Sequence, residues 1–113
     1  MHELSIAESI IDIVNENTKQ HPDKKVNKIT LDIGVLSGVI PEALTFAFEE
    51  LLKHSPYKNA MIEMNHIKAK AVCHQCKFIF EPNDIFTPCP ACHSSDIELI
   101  EGKELNVRSI IIE

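Results

Sequence analysis

The chain has 113 residues, of which 44% are hydrophobic, and its formal net charge is −6 at neutral pH. This length and apolar content suit one small domain, or one domain that carries an insertion. The acidic balance disfavours a nucleic-acid-binding protein, which needs a basic surface to neutralise phosphates, and no apolar run is long enough to span a membrane.

The first predicted element is an amphipathic helix over residues 5–20. Apolar residues recur every three or four positions and predict one buried face: Leu4, Ala7, Ile10, Ile11 and Val14. Ser5 and Glu8 have the spacing of a capping box, which predicts that the helix begins at Ser5 and that Glu3 lies just outside it. A His-Pro-Asp sequence at 21–23 then ends the helix.

Three strands and a second helix follow. The helix is predicted over 41–54, and two of the strands over 60–67 and 104–112. Strict alternation over 26–35 predicts the remaining strand, with one set of side chains facing the core and the other facing water: Ile29, Leu31, Ile33 and Val35 against Lys28, Thr30 and Asp32. The predicted fold class is therefore α+β, a mixed α/β arrangement with two helices packed on one face of a three-stranded sheet.

Four cysteines form two CxxC pairs after the second predicted strand: Cys73, Cys76, Cys89 and Cys92. Each pair can present two sulfurs on one tight turn, and two such turns make a tetrahedral four-thiolate cage that suits Zn²⁺. The alternatives are two disulfides, which belong to oxidising compartments, or a redox motif, which is normally single and starts a helix. Prolines on both sides of Cys89 hinder such a helix. A closed four-cysteine site is structural rather than catalytic.

The cysteines lie between two predicted strands, so the zinc segment is predicted to be an insertion. Its predicted bounds are residues 72–101, and the α/β domain is residues 1–71 and 102–113. From Cys73 to Glu101 one lysine stands against five carboxylates, a net charge of −4, which again opposes nucleic-acid binding. The first residues lack the basic region of a signal peptide, so a cytoplasmic protein with reduced thiols is expected.

The N-terminus offers a second possible metal site. The α-amine of Met1, the amide nitrogens of His2 and Glu3, and the His2 imidazole can form the four-nitrogen plane that Ni(II) and Cu(II) prefer. The Glu3 carboxylate can add an oxygen. The competing interpretation is a solvated terminal histidine, since a helix N-terminus favours anions over cations. His74 and His93 flank zinc cysteines, and are predicted to be bystanders, hydrogen-bond partners of the ligands or alternative ligands.

Motifs spread over the whole chain resemble those of one family. They are Met1-His2-Glu3-Leu4-Ser5, the Gly-Val-Leu-Ser-Gly-Val sequence at 34–39, the Pro-Glu-Ala-Leu-Thr-Phe-Ala-Phe-Glu sequence at 41–49, the two CxxC pairs, and Ser109-Ile110-Ile111-Ile112-Glu113. On these motifs the sequence closely resembles the HypA/HybF family of hydrogenase maturation nickel chaperones. The resemblance implies a nickel-binding α/β domain with a zinc insert.

The resemblance also implies roles for particular residues. Met1, His2 and Glu3 correspond to the family's nickel site, the four cysteines to its zinc ligands, and His93 to a histidine linked to zinc-site plasticity in some members. One departure is Ile40, where many relatives have a carboxylate close to the nickel site. The nearest candidate for an oxygen ligand from that loop is Glu42.

The predicted function is therefore Ni²⁺ delivery, together with the GTPase HypB, to the large-subunit precursor of [NiFe]-hydrogenase, and in some members to urease maturation factors. The alternative is a zinc-ribbon interaction module without metal transfer, in which His2 is incidental. No nucleophile–base pair or phosphate-binding loop is visible, so the chain is not predicted to be an enzyme. A monomer or weak homodimer is expected, with no nucleic-acid or membrane partner.

Overall fold

The computed structural model describes residues 3–113. Two helices and six strands follow in the order α1 (Glu3–Thr18), β1 (Val26–Gly34), α2 (Pro41–Leu52), β2 (Met61–Ile67), β3 (Lys70–Cys73), β4 (Ile79–Phe80), β5 (Ile97–Glu101) and β6 (Leu105–Ile112). The strands form two three-stranded sheets, with orders β2-β1-β6 and β4-β3-β5. The predicted α+β class, with two helices and a three-stranded sheet, is confirmed.

The chain separates into two compact units. The first contains the residues up to Asp32, Val39–Asn65 and Asn106–Glu113, and the second contains Ile33–Gly38 and His66–Leu105. All four cysteines belong to the second unit.

The core of the first unit is built from both helices and β1. The helices contact each other, and each buries a stripe of apolar residues spaced three or four apart, because that spacing puts them on one helical face. The buried residues include Ala7, Ile10 and Val14 of α1, Leu44, Ala47, Phe48 and Leu52 of α2, and Ile29 and Leu31 of β1.

The opposite face of β1 is more covered than the alternation predicts. Thr30 is only 7% exposed, although it was expected to face water. As the central strand, β1 has neighbours on both edges, and their polar side chains reach over it. Asp32 accepts hydrogen bonds from Asn65 Nδ2 of β2 at 3.3 Å and from Arg108 of β6 at 3.1 Å. Hydrogen-bonded polar side chains therefore connect all three strands on this face of the sheet.

Three further local expectations are wrong. Helix α1 begins at Glu3, so Ser5 lies inside its first turn and cannot be its N-cap. An acidic Glu3 in the first turn interacts favourably with the helix dipole, which supports this earlier start. Leu4 and Val35, both expected to face the core, are 51% and 56% exposed, and Val35 lies beyond the end of β1 at Gly34.

The second unit contains strands that the sequence analysis did not predict. Strand β3 lies between β4 and β5, antiparallel to both, with Val72 opposite Ile79 and Cys73 opposite Ile97. The alternation of Ile97, Glu98 and Leu99 is a weak signal for β5, but the strands are too short for pattern alone to find them.

Candidate metal centre

The first CxxC pair forms a tight turn at the end of β3. The amide of Lys77 donates to the carbonyl of Cys73 at 2.9 Å, and the amide of Cys73 donates to the carbonyl of Phe78 at 2.9 Å. Lys77 has a φ of 63°, in the left-handed region. This reversal brings Cys76 back beside Cys73.

The second CxxC pair repeats the same geometry. The amide of His93 donates to the carbonyl of Cys89 at 2.8 Å, the amide of Cys89 donates to the carbonyl of Ser94 at 2.9 Å, and His93 has a φ of 63°. The hydrogen bonds and the left-handed residue fall at the same offsets from the first cysteine in both turns. The two turns are therefore equivalent halves of one site.

The structure brings all four cysteine sulfurs together. They lie within 4.8 Å of one another, with 3.5 Å between the sulfurs of Cys73 and Cys92 and 3.6 Å between those of Cys76 and Cys89. A tetrahedron of sulfurs with metal–sulfur bonds of about 2.3 Å has an edge of about 3.8 Å, so the arrangement fits a zinc-sized ion. Cys73 and Cys89 are fully buried, whereas Cys76 and Cys92 are exposed.

The electrostatics of the cluster favour a cation. The backbone amide of Cys76 lowers the pKa of the Cys73 thiol to about 6, against the opposing effect of burial. The amide of Ser94 lowers the pKa of Cys92, but its sulfur neighbour Cys73 and burial outweigh that amide and raise the pKa to about 12. Thiolates at this spacing repel one another, so ionising all four needs a positive charge at their centre.

His74 has a structural role that the sequence analysis left undecided. Its Nδ1 lies 3.0 Å from Oδ1 of Asp96, its Nε2 lies 2.9 Å from Oε1 of Glu98, and its amide donates to the carbonyl of Asp96 at 2.9 Å. Hydrogen bonds to Glu98 and then Asp96 raise the pKa of the imidazole. His74 therefore ties the first turn to β5. The sequence contains one signal for this role. Asp96 and Glu98 are two residues apart, a spacing that puts both carboxylates on the same face of a strand.

The N-terminal site is described in part. Met1 and His2 lie outside the described residues. Glu3 is the first residue of α1, and its Oε2 accepts a hydrogen bond from the amide of Ile40 at 3.3 Å. Ile40 is the N-cap residue of α2 and makes no side-chain cap, while Glu42 is exposed in the first turn. Ile40 itself has no carboxylate. The carboxylate that lies beside residue 40 is that of Glu3.

The left-handed residue after each CxxC pair gives a test of the turn geometry. We expect Lys77→Gly to preserve or raise the stability of the metal-loaded protein, because glycine adopts a φ of 63° without steric cost. Compared with Lys77→Gly, Lys77→Val should be less stable by about 1–2 kcal/mol, since a Cβ disfavours this region and branching adds to the crowding. Thermal unfolding of the two variants checks the order, and a more stable Val variant would contradict the assigned backbone.

Comparisons with known proteins agree on the family. A family model described as "Hydrogenase/urease nickel incorporation, metallochaperone, hypA" matches residues 1–112. The chain is 41% identical to the hydrogenase maturation factor HypA of Parabacteroides distasonis, over 100% of this chain and 98% of the relative. It is 38% identical to that of Geotalea daltonii, over 99% of each. The chain belongs to the HypA family.

Solved structures of HypA proteins have the same fold. The solution structure of the nickel metallochaperone HypA from Helicobacter pylori covers 97% of this chain and 96% of its own, with a TM-score of 0.69 and 28% identity. A second HypA solution structure gives a TM-score of 0.74 over 100% of this chain and 97% of its own, at 27% identity. The HypA family is one of nickel metallochaperones for hydrogenase maturation, a class of maturation factor rather than of catalyst. Among the described residues, no helix is long and apolar enough to cross a membrane.

Proposed function

We propose that this protein carries Ni²⁺ at its N-terminus and delivers it during maturation of [NiFe]-hydrogenase. The ligands are the Met1 amine, the backbone amide nitrogens of His2 and Glu3, and the His2 imidazole. The observation that carries the proposal is the match of residues 1–112 to a family described by hydrogenase and urease nickel incorporation.

The placement of Glu3 supports this ligand set. Glu3 is the first residue of α1. Its carboxylate, next to the amide of Ile40, links the first turn of α1 to the start of α2 and gives an oxygen near the proposed nickel ligands.

We propose Zn²⁺ for the four-cysteine cluster, with residues 72–101 as the zinc-binding insert. Zinc matches four thiolates at tetrahedral spacing and brings no redox chemistry. With four sulfurs bound, the metal has no open position, so its role is structural. Nickel in a nitrogen plane and zinc in a sulfur cage are kept apart by ligand softness and geometry.

The proposed partners are the GTPase HypB and the large-subunit precursor of [NiFe]-hydrogenase, with urease maturation factors as further clients where urease is present. A terminal chelate suits such transfer, because an amine, two amides and one imidazole are easily reprotonated and released. We place the protein in the cytoplasm, where four neighbouring thiols stay reduced and available to zinc.

Nickel binding by the tag-free protein with its native N-terminus tests the proposal. We expect one Ni²⁺ per chain, tighter as pH rises because the amides must lose protons. His2→Ala, or an added N-terminal glycine that converts the amine to an amide, should weaken binding by about 100-fold or more, since each removes a direct ligand. Absorbance titration measures nickel, and zinc content in the same samples reports on the fold.

The matched control is His21→Ala, which removes an exposed histidine outside the proposed site and should leave nickel affinity unchanged. Equal nickel affinity in the native, His2→Ala and extended proteins would refute the N-terminal site. That result would favour the second candidate, a zinc-ribbon interaction module without metal transfer, which the four-cysteine cluster alone would also suit.

A further inference from the structure

A pocket of about 430 Å³ lies between the first turn of α1 and one face of α2. Glu3 and Leu4 line it from α1, and positions 43, 46, 47 and 50 line it from α2. These four positions have the three-and-four spacing of one helical face. The pocket belongs entirely to the first unit, and it shares Glu3 with the proposed nickel site.

The apolar walls of this pocket remain largely in solvent. Leu4 is 51% exposed and Phe46 is 64% exposed, whereas Ala43 is half-buried and Ala47 is buried. The buried stripe of α1 begins only at Ala7, one helical turn after Leu4. Apolar surface therefore continues beyond the core to the very start of α1.

Met1 is close enough in the sequence to enter this pocket. Met1 and His2 precede Glu3, and each residue adds at most about 3.5 Å of extended chain, so the Cα atoms of Met1 and Glu3 are no more than about 7 Å apart. Position 1 is also three residues before Leu4, the spacing of neighbours on one helical face. The Met1 side chain can thus reach the pocket from an extended or a helical backbone.

Both parts of a terminal methionine match the chemistry of the pocket. An unbranched thioether fills irregular apolar space, and its sulfur makes favourable contacts with an aromatic ring such as that of Phe46. The lining also includes Glu3 and Glu50, whose carboxylates attract the positive α-amine. Glu50 is also paired with Lys53 at 2.9 Å, so we expect most of this attraction to come from Glu3.

We propose that the Met1 side chain docks in this pocket, against Phe46 and Ala43, and thereby holds the α-amine beside Glu3. The inference rests on the proposed function, because it gives Met1 a second role in the same nickel site. An amine that is already positioned loses less freedom when nickel binds, so docking tightens nickel binding. Met1 is a positioning residue through its side chain and a ligand through its amine.

Nuclear magnetic resonance of the zinc-loaded, nickel-free protein tests the docking directly. The three methionines are labelled with ¹³C at the ε-methyl group, and the Met61→Leu and Met64→Leu variants assign their signals. We expect nuclear Overhauser contacts from the Met1 methyl group to the Phe46 ring and the Ala43 methyl group. Phe46→Leu should shift the Met1 methyl signal, because the ring current disappears.

Ala43→Leu tests whether docking positions the amine. The larger side chain fills the pocket, so Met1 should lose its contacts there, and nickel affinity should fall by about 3–10-fold, the cost of ordering one flexible side chain. The matched control is Ala60→Leu, since Ala60 is also half-buried and lines a different pocket of the first unit. This control should change neither the contacts nor the nickel affinity.

Phe46→Ser is a second variant that does not overpack the pocket. It removes one exposed wall, and it should weaken both the Met1 contacts and nickel binding. Zinc content and circular dichroism of each variant report whether the fold is intact.

The docking and the nickel site can fail separately. An added N-terminal glycine, or His2→Ala, disrupts the nickel chelate but keeps the Met1 side chain, so the contacts of Met1 with Phe46 should persist. Failure of the nickel site therefore leaves the nickel-free measurement unaffected.

The proposal is overturned if Met1 contacts neither Phe46 nor Ala43 in the nickel-free protein. It is also overturned if Ala43→Leu and Phe46→Ser abolish the contacts but weaken nickel binding no more than Ala60→Leu does. Contacts that disappear on dilution would overturn it too, because Met1 would then occupy the pocket of a second copy of the chain.

Discussion

Cys89→Ser should abolish the proposed zinc binding and unfold most of the second unit. Cys89 is fully buried, and its sulfur lies 3.6 Å from that of Cys76, so serine replaces a soft ligand at the centre of the site. In small zinc modules the apparent metal-binding free energy of about 10–16 kcal/mol is largely the folding free energy. We expect zinc content to fall from one ion per chain to near zero. Amide protection should disappear in β3, β4 and β5 while the helices keep theirs, because their buried stripes form a separate core.

The control is Gln75→Ser, which changes an exposed residue inside the first CxxC pair and should keep both zinc and amide protection. Metal analysis and amide hydrogen exchange measure the two results. Retention of one zinc by the Cys89→Ser protein, with β3 and β5 still protected, would show that the cluster does not hold the unit together.

Gly34→Ala should destabilise the protein by about 3 kcal/mol or more, the upper range for overpacking. A Cβ at Gly34 would lie 2.1 Å from the carbonyl carbon and oxygen of Gly102 and 2.6 Å from the amide nitrogen of Lys103. These are backbone atoms and cannot rotate away. Moving the backbone at Gly34 away from that at Gly102 would relieve the clash. It would also strain the hydrogen bonds from Gly34 to Glu104 and from Leu36 to Gly102, both 2.7 Å long.

Gly38→Ala is the matched control for this substitution. Gly38 has a φ of 84° but no heavy atom within 4 Å of a Cβ, so only the backbone strain of about 1–2 kcal/mol applies. Urea unfolding followed by circular dichroism compares the two variants. Equal losses would mean that the close approach of Gly34 to Gly102 contributes nothing measurable.

The helices and the strands of the first sheet were predictable because their hydrophobic periods are long and regular. Helix α1 buries Ala7, Ile10 and Val14 as the spacing predicts, and β1 buries Ile29 and Leu31. Apart from Thr30, which is buried in the middle of β1, the failures in these elements are at their ends. Ser5 has the right spacing for a cap, but local hydrogen bonding could not be weighed against the preference of Glu3 for the first turn. A sequence pattern does not show which of two competing helix starts is more stable.

The sulfur cluster was predictable because CxxC spacing dictates its own local geometry. The surroundings of the cluster were not, because they depend on contacts between distant residues. His74 meets Asp96 and Glu98 only once β3 and β5 are paired, and that pairing brings together segments about two dozen residues apart. The hydrogen-bonded turn at residues 83–87 was missed for a different reason: its ordering depends on which way the side chains of Asp84 and Thr87 turn.

The strand order β2-β1-β6 has a consequence for the order of events on the ribosome. Strand β6 follows the cysteine segment in the chain, so β1 is made long before its second neighbour and meanwhile presents an open edge. Open edges are templates for pairing with other chains. Once the cysteine segment has folded, Gly102 lies against Ala69, so β6 starts from a point beside the end of β2. We expect folding of the cysteine segment before β6 pairs with β1 to shorten the loop that β6 must close.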